Sequence, residues 1–198
     1  MATNEHQHRE FDPHHFMSME AKRKSFMPPD EILSKIIVGQ ESNFVDVGCG
    51  PGFFTLPAAT MLPKAKIYAV DRQQNMVDLT LSRAKEASLD HISGIVTPSS
   101  ALPFDDHSID IVFMSMVYHD VIDPVETLAE IKRVLRPQGK FYLVEWDKVE
   151  SELGPPLAIR ITPDELQAHL HTAGFTVTSI ERSSHHVAVY FVLATPSA

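Results

Sequence analysis

Apolar residues along the chain fall into short runs separated by stretches with helical spacing. Phe44, Val45 and Val47, then Lys66 to Asp71, Ile92 to Val96, Ile109 to Met116 and Phe141 to Trp146, read as five strands. The fourth is almost wholly apolar, as expected of a strand covered on both faces. Between them, Leu56 to Met61 and Gln74 to Ala87 predict helices, the second with Met76, Val77, Leu81 and Ala84 on one face. Asp123-Pro124-Val125-Glu126 supplies an N-cap, a first-turn proline and a glutamate at N3 for a helix that turns Leu128, Ile131 and Leu135 inward. Arg136 to Lys140 then reads as the turn into the fifth strand. Thr162-Pro163-Asp164-Glu165 repeats the capping signal before a helix through Leu166 and Leu170 to Gly174. Phe175 to Ile180 and Val187 to Leu193 complete the pattern as an antiparallel edge. Such alternation specifies an α/β fold, a Rossmann-like doubly wound sheet of seven mostly parallel strands with an antiparallel C-terminal edge.

The first 27 residues depart from this pattern. They are polar and carry His6, His8, His14 and His15, with Met17, Met19, Phe26 and Met27 among basic residues. They read as a leader rather than core, with Phe16 to Phe26 a short helix folding over the site as a lid. Pro28-Pro29-Asp30-Glu31 opens a helix with Ile32, Leu33, Ile36 and Ile37 on one face and Gly39 at its end. The organisation expected is therefore a leader or lid at 1–27 and a single domain at 28–198. No carboxylate or cysteine completes a metal-ligand set with the histidines at a recognisable spacing, so no metal is assigned.

Composition narrows the function classes. With 198 residues and 43% hydrophobic content, the chain suits one domain with a sizeable core. A net charge of −9 argues against a nucleic-acid partner, which needs clustered cations to displace counterions, and favours a small molecule. No apolar run approaches the roughly 20 residues of a membrane span, and the N-terminal residues lack a signal peptide's apolar core. A cytoplasmic protein with no membrane partner is expected. The single cysteine, Cys49, excludes an intramolecular disulfide and agrees with a reducing compartment.

The chemistry centres on the end of the first strand, where Gly48, Gly50 and Gly52 follow one another at alternate positions. Such a loop lets backbone approach a ligand that any Cβ would push away, and the helix start after it would turn N–H groups toward an anion. Asp71 ends the second strand, at the roughly 20-residue interval that places a carboxylate against ribose hydroxyls. Its alternative role is to cap the helix from Gln74. A dinucleotide loop of the form Gly-x-Gly-x-x-Gly would need a third glycine where Phe53 stands.

The blocks Val45 to Thr55, Tyr68 to Asp71, Leu102 to Val112, Leu135 to Lys140 and Thr162 to Phe175 occur in order, the first as Asp46-x-Gly48-x-Gly50-x-Gly52. From about Pro28 to Ala194 the chain thereby resembles the class I S-adenosylmethionine-dependent methyltransferases, in their small-molecule, type 11-like branch. The resemblance implies S-adenosylmethionine as cofactor and methyl transfer to a small-molecule acceptor. It places the methionine portion on Gly48, Gly50 and Gly52, with Asp46 and Cys49 in the same loop, and the ribose on Asp71 beside Arg72. It frames the adenine near Ser99, Ser100 and Ala101, and adds Met114 to the cofactor site. Many relatives have an aspartate in that third loop, and a serine hydroxyl accepts more weakly than a carboxylate.

Few catalytic groups are needed for a displacement at a sulfonium. His119, after the fourth strand, is the candidate general base, its ordinary pKa lying near neutrality. Tyr118, Trp146 and Arg23 are candidate walls of the acceptor pocket, and Glu145 and Asp147 candidates to orient a polar acceptor. Arg23 suits an anionic substrate or the cofactor carboxylate. A non-catalytic cofactor-binding module and a methyltransferase acting on a protein are the alternatives. A nicotinamide oxidoreductase lacks its third glycine and a Tyr-x-x-x-Lys pair, and arsenite methylation needs several thiolates where only Cys49 exists. Quinone methylation stays open.

Overall fold

A computed structural model describes residues 10–37 and 42–197. Seven strands form one sheet: β1 (Phe44–Val47), β2 (Ile67–Asp71), β3 (Ile92–Val96), β4 (Ile109–Ser115), β5 (Leu135–Trp146), β6 (Phe175–Arg182) and β7 (Val189–Pro196). Their order is β3-β2-β1-β4-β5-β7-β6. The first five run parallel, and β7 is antiparallel to both β5 and β6. The helices are α1 (Pro13–Ser18), α2 (Glu20–Phe26), α3 (Pro29–Ser34), α4 (Thr55–Met61), α5 (Gln74–Glu86), α6 (Pro124–Val134) and α7 (Pro163–Thr172). The chain leaves β1 to pair on one side with β2 and on the other with β4, so strand order reverses at the loop after β1. In open α/β sheets the crevice at such a reversal, beyond the carboxyl ends, is where ligands bind.

Side chains alternate across the strands and split the core into two layers. Val45, Val47, Val112, Met114, Phe141 and Leu143 pack with Leu128, Ile131, Leu166 and Leu170 of α6 and α7. On the other face Phe44, Ile111, Phe113, Tyr142, Val144 and Trp146 meet Ile32, Leu33, Ala58 and the end of α2. Each large side chain buried this way contributes about 1.5–3 kcal/mol relative to exposure. The caps form as their residues dictate. Asp123 accepts the Glu126 N–H at 2.9 Å. Thr162 and Glu165 close a capping box, the Glu165 carboxylate taking the Thr162 N–H at 2.8 Å.

Several expectations are corrected. The segment from Phe16 to Phe26 is two helices meeting at Met19, and its end is core: Phe26 and Met27 are buried in the layer beneath α3 and α4. Helix α3 stops at Ser34, while Gly39, expected to end it, lies outside the described residues, as do His6 and His8. Leu135 belongs to β5 and not to the preceding helix, because Pro137 disfavours helical backbone just before it and Leu135 is already extended, with φ −70° and ψ 135°. The expected turn at Arg136 to Lys140 survives as an outward excursion of that strand. Leu135 pairs with Ile109, exposed Arg136, Pro137 and Gln138 swing out, and Lys140 re-enters opposite Ile111. The last strand runs later than its apolar pattern, leaving Val187 exposed. Among the described residues no helix is long and apolar enough to cross a membrane. None of their His, Cys, Asp and Glu side chains form a group of three or more suited to a metal ion.

Candidate active site

The glycine loop is folded by its own hydrogen bonds. Gly48 and Cys49 donate their N–H groups to the Val70 carbonyl at 2.8 and 3.0 Å, and Gly52 donates to Cys49 at 3.1 Å. Gly50 donates to Asp71 Oδ2 at 3.0 Å, while the Gln73 N–H reaches Oδ1 at 2.9 Å. All four of these loop N–H groups are therefore satisfied within the protein. Helix α5 braces the loop from outside. Thr80 Oγ1 donates to the Gly50 carbonyl at 2.7 Å, and Arg83 donates to that of Pro51. Gly52 has φ +83°, and a Cβ there would stand 2.9 Å from Leu56 Cδ1 and 3.1 Å from Thr80 Cγ2. Close packing of loop on helix thus falls at Gly52, which frees the next position for Phe53. At Gly50 an added Cβ would meet nothing within 4 Å, so the loop leaves an open cradle at its centre.

Asp71 sits at the rim of that cradle. Burial raises its carboxyl pKa, against the lowering effect of the Gln73 and Gly50 N–H groups. Its two oxygens hold the Gly50 and Gln73 N–H groups, and a carboxylate, with about four acceptor sites, has room for further donors. Its place in the capping of α5 is indirect, because Gln73 occupies the N-cap. The Thr97 N–H donates to the Asp71 carbonyl at 3.0 Å, which sets the Pro98 to Ala101 loop beside it.

Across the sheet edge, Tyr118–Asp120 forms a single 3-10 turn after β4. His119 Nδ1 lies 2.7 Å from Glu145 Oε1, and the His119 N–H donates to Oε2 at 3.2 Å. Glu145 is 0% exposed and takes the Trp146 N–H as well. Burial alone would lower the His119 pKa, but Glu145 and, at 3.4 Å, Asp120 outweigh it and push it up to about 10. At neutral pH His119 is an ion-paired imidazolium with no lone pair to accept a proton. The pairing weighs against the general base expected there. Beside it lies a cleft of about 270 Å³ between the turn and α7, with Tyr118, Val121, Pro124, Ile159, Ile161 and His169 on its wall and the charged Lys148, Arg160 and Glu165 beside them. Tyr118 Oη is 3.1 Å from His169 Nδ1.

A family model described as a methyltransferase domain matches residues 45–143, from the glycine loop's strand through β5. The chain belongs to the type 11 methyltransferase-domain family. A solved S-adenosylmethionine-dependent methyltransferase from Aquifex aeolicus superposes with a TM-score of 0.86 at 26% identity, covering 93% of this chain and 98% of that one. The demethylmenaquinone methyltransferase of Anoxybacillus flavithermus is 27% identical over 116 residues, 58% of this chain and 49% of that protein. An uncharacterised 37.1 kDa transposon protein of Streptomyces fradiae is 35% identical over 109 residues, 53% of this chain and 31% of that protein. The chain thus spans about half the length, or less, of these curated relatives.

The cofactor of this methyltransferase domain is S-adenosylmethionine, and two observations show that the residues suit it. The cradle at Gly50 is open to a ligand, and Ser115 Oγ, buried at the carboxyl end of β4, has no hydrogen-bond partner among the described residues. Among the residues expected at the site, Gly48, Gly50, Gly52 and Asp71 come together. Exposed Arg72 follows Asp71 directly. Asp46 is buried under the loop, accepting from Thr55 Oγ1 at 2.6 Å. Burial, opposed by that hydrogen bond and reinforced by Asp71, pushes its pKa up to about 7. Cys49 is buried, its pKa raised by burial and by Asp46 and Asp71. Ser99 spends its hydroxyl on Thr127 Oγ1 at 2.9 Å. Met114 is 1% exposed within the core layer under α6 and pairs with Val47, the residue before the loop.

On the acceptor side Tyr118 lines the cleft, but Trp146 does not. It points to the opposite face, 5.8 Å from Phe26 and 5.2 Å from His186 between ring centres. Asp147, expected at the ligand edge, is buried and paired with Arg182 at 2.6 Å. Arg23 lies over Phe53, directly after the glycines. Glu145, expected to orient a polar acceptor, is instead held on His119, and Thr80, Arg83 and His169 are not among the residues the sequence singles out. Thr80 and Arg83 gave one signal, two hydrogen-bonding side chains a turn apart on the face of a helix that is otherwise apolar.

Proposed function

We propose that the chain moves the methyl group of S-adenosylmethionine to a small-molecule acceptor held at the carboxyl ends of β4 and β5. The observation that carries this reading is the open cradle at Gly50, rimmed by Asp71. When bound, the cofactor supplies a sulfonium methyl that departs by in-line displacement, with no covalent enzyme intermediate required. The chain's part is to hold, align and exclude water. Asp71 offers its remaining lone pairs to the ribose hydroxyls, and the loop at Ser100 and Ala101 borders the adenine. Residues 10–26 act as a lid on the domain that follows. Gln73 clasps the Phe11 main chain through both amide atoms, at 2.9 and 3.0 Å, and Arg83 reaches Glu20 of α2 at 2.8 Å.

The cleft of about 270 Å³ takes the acceptor. Val121, Pro124, Ile159 and Ile161 suit an apolar ring or chain, and Tyr118 with His169 suits a hydroxyl. The demethylmenaquinone in the name of the Anoxybacillus relative has an apolar ring and chain of that kind. His119 acts as a positioning residue, locked by Glu145 as part of the cleft floor. Incubating the chain with methyl-labelled cofactor and a cell extract is expected to put label into the small-molecule fraction; label confined to protein would move the acceptor class. With the product in hand, turnover is expected to lack a rise with midpoint near pH 6.5, because His119 stays protonated up to about 10. A rise near 6.5 that disappears in His119→Ala would restore the base and contradict this role.

A further inference from the structure

The amino-acid end of the cofactor carries a carboxylate, and the glycine loop has little left to meet it. The N–H groups of Gly48, Cys49, Gly50 and Gly52 are committed to Val70, Asp71 and Cys49, and Pro51 has none. The buried carboxyl of Asp46 lies below, an unfavourable neighbour for a second anion. A carboxylate held over these residues without donors of theirs is costly, and a cation from another element offsets that cost.

Arg23 is placed to supply it. It projects from α2 with its guanidinium carbon 4.2 Å from the ring centre of Phe53 and 5.7 Å from that of Phe16. None of its guanidinium N–H groups has a hydrogen-bond acceptor among the described residues, and it feels Asp46 and Glu20 only through space. Glu20 is already engaged, with Lys24 at 2.9 Å and Arg83 at 2.8 Å. Because Arg83 also grips the Pro51 carbonyl, the same contact that holds α2 in place ties it to the loop. A guanidinium lying on a ring keeps its in-plane donors pointed outward, and that planar fork matches the two oxygens of a carboxylate. A lysine at this position would keep the charge and lose the fork.

We propose that Arg23 anchors the α-carboxylate of S-adenosylmethionine, so that the lid helix, and not the loop backbone, recognises the amino-acid end of the cofactor. This rests on the reading of the domain as a binder of that cofactor. Calorimetry on the full chain tests it with four ligands. S-adenosylmethionine and S-adenosylhomocysteine carry the carboxylate; decarboxylated S-adenosylmethionine and methylthioadenosine do not. Arg23→Gln is expected to weaken the first two by about tenfold to a hundredfold and to leave the other two within about threefold. Arg23→Lys should fall between, and both variants should melt within a few degrees of the unaltered chain. Unchanged affinity for the carboxylate-bearing pair overturns the proposal. So does an equal loss for all four ligands, which would make Arg23 a support of the lid alone. If the unaltered chain binds neither of the first two, the underlying cofactor reading falls, and the proposal with it.

Discussion

Asp71→Ala is expected to weaken S-adenosylhomocysteine binding by about a hundredfold or more while leaving the chain folded. The carboxylate holds the Gly50 N–H at 3.0 Å and the Gln73 N–H at 2.9 Å, and under the proposed function it also takes the ribose hydroxyls. Hydrogen bonds to a charged group are worth about 1.5–3 kcal/mol each, so losing two removes about 3 kcal/mol or more. At about 1.4 kcal/mol per factor of ten, that is the hundredfold. Asp71 is only half-buried, so water can re-satisfy the two freed N–H groups and the stability cost stays near 1–2 kcal/mol. Asp71→Asn keeps an acceptor for Gly50 and should lose less. Titration of both variants beside a thermal melt checks this, and an affinity for Asp71→Ala within threefold of the unaltered chain would remove Asp71 from the cofactor site.

Glu145→Ala is expected to be the most destabilising single change at the acceptor edge, by about 3–5 kcal/mol, because it removes the nearer counter-ion of a buried imidazolium and leaves it only Asp120 at 3.4 Å. His119 side-chain exposure is 5% and that of Glu145 is 0%, so solvent cannot substitute for the lost partner. For a chain of this size the loss corresponds to a melting temperature lower by about 6–20 °C. The pH dependence follows from the direction of the shift. The folded-state pKa of His119 is raised from 6.5 to about 10, so its stabilising contribution is complete below 6.5 and is lost as pH rises through about 10. Asp46 has the same sign, its pKa raised from 3.8 to about 7, so stability also falls as pH climbs between those values. In Glu145→Ala the slope above neutrality should flatten. The double variant Glu145→Gln with His119→Gln should recover part of the loss, since both charges are then gone. A Glu145→Ala chain as stable as the original would contradict the buried ion pair.

The local signals in the sequence carried most of the frame. Asp123 and Thr162 cap helices because a short oxygen-bearing side chain before a proline has few other uses, and the alternating glycines after an apolar run fold as a loop in any α/β context. Long-range partners were less legible. His119 and Glu145 face each other because β4 and β5 are adjacent and Ser115 pairs with Val144, a register that no periodicity encodes. Strand alternation does send Glu145 and Trp146 to opposite faces. It does not say which face holds the cleft, so Trp146 and Glu145 stand in the sequence as candidates alike. Leu135 fits the helical stripe of α6, and the extended backbone ahead of Pro137 overrides that fit. At the glycine loop, residue types announced the cradle, yet the commitment of four N–H groups to Val70, Asp71 and Cys49 is visible only in the folded chain.

The central claim is that the loop from Gly48 to Gly52, with Asp71, is built for a methionyl nucleoside. Calorimetric titration of the full chain with S-adenosylmethionine, S-adenosylhomocysteine and NAD tests it most directly. Saturable one-site binding of the first two, and none of NAD, is the expected result. Binding of NAD with no response to either sulfur nucleoside would contradict it.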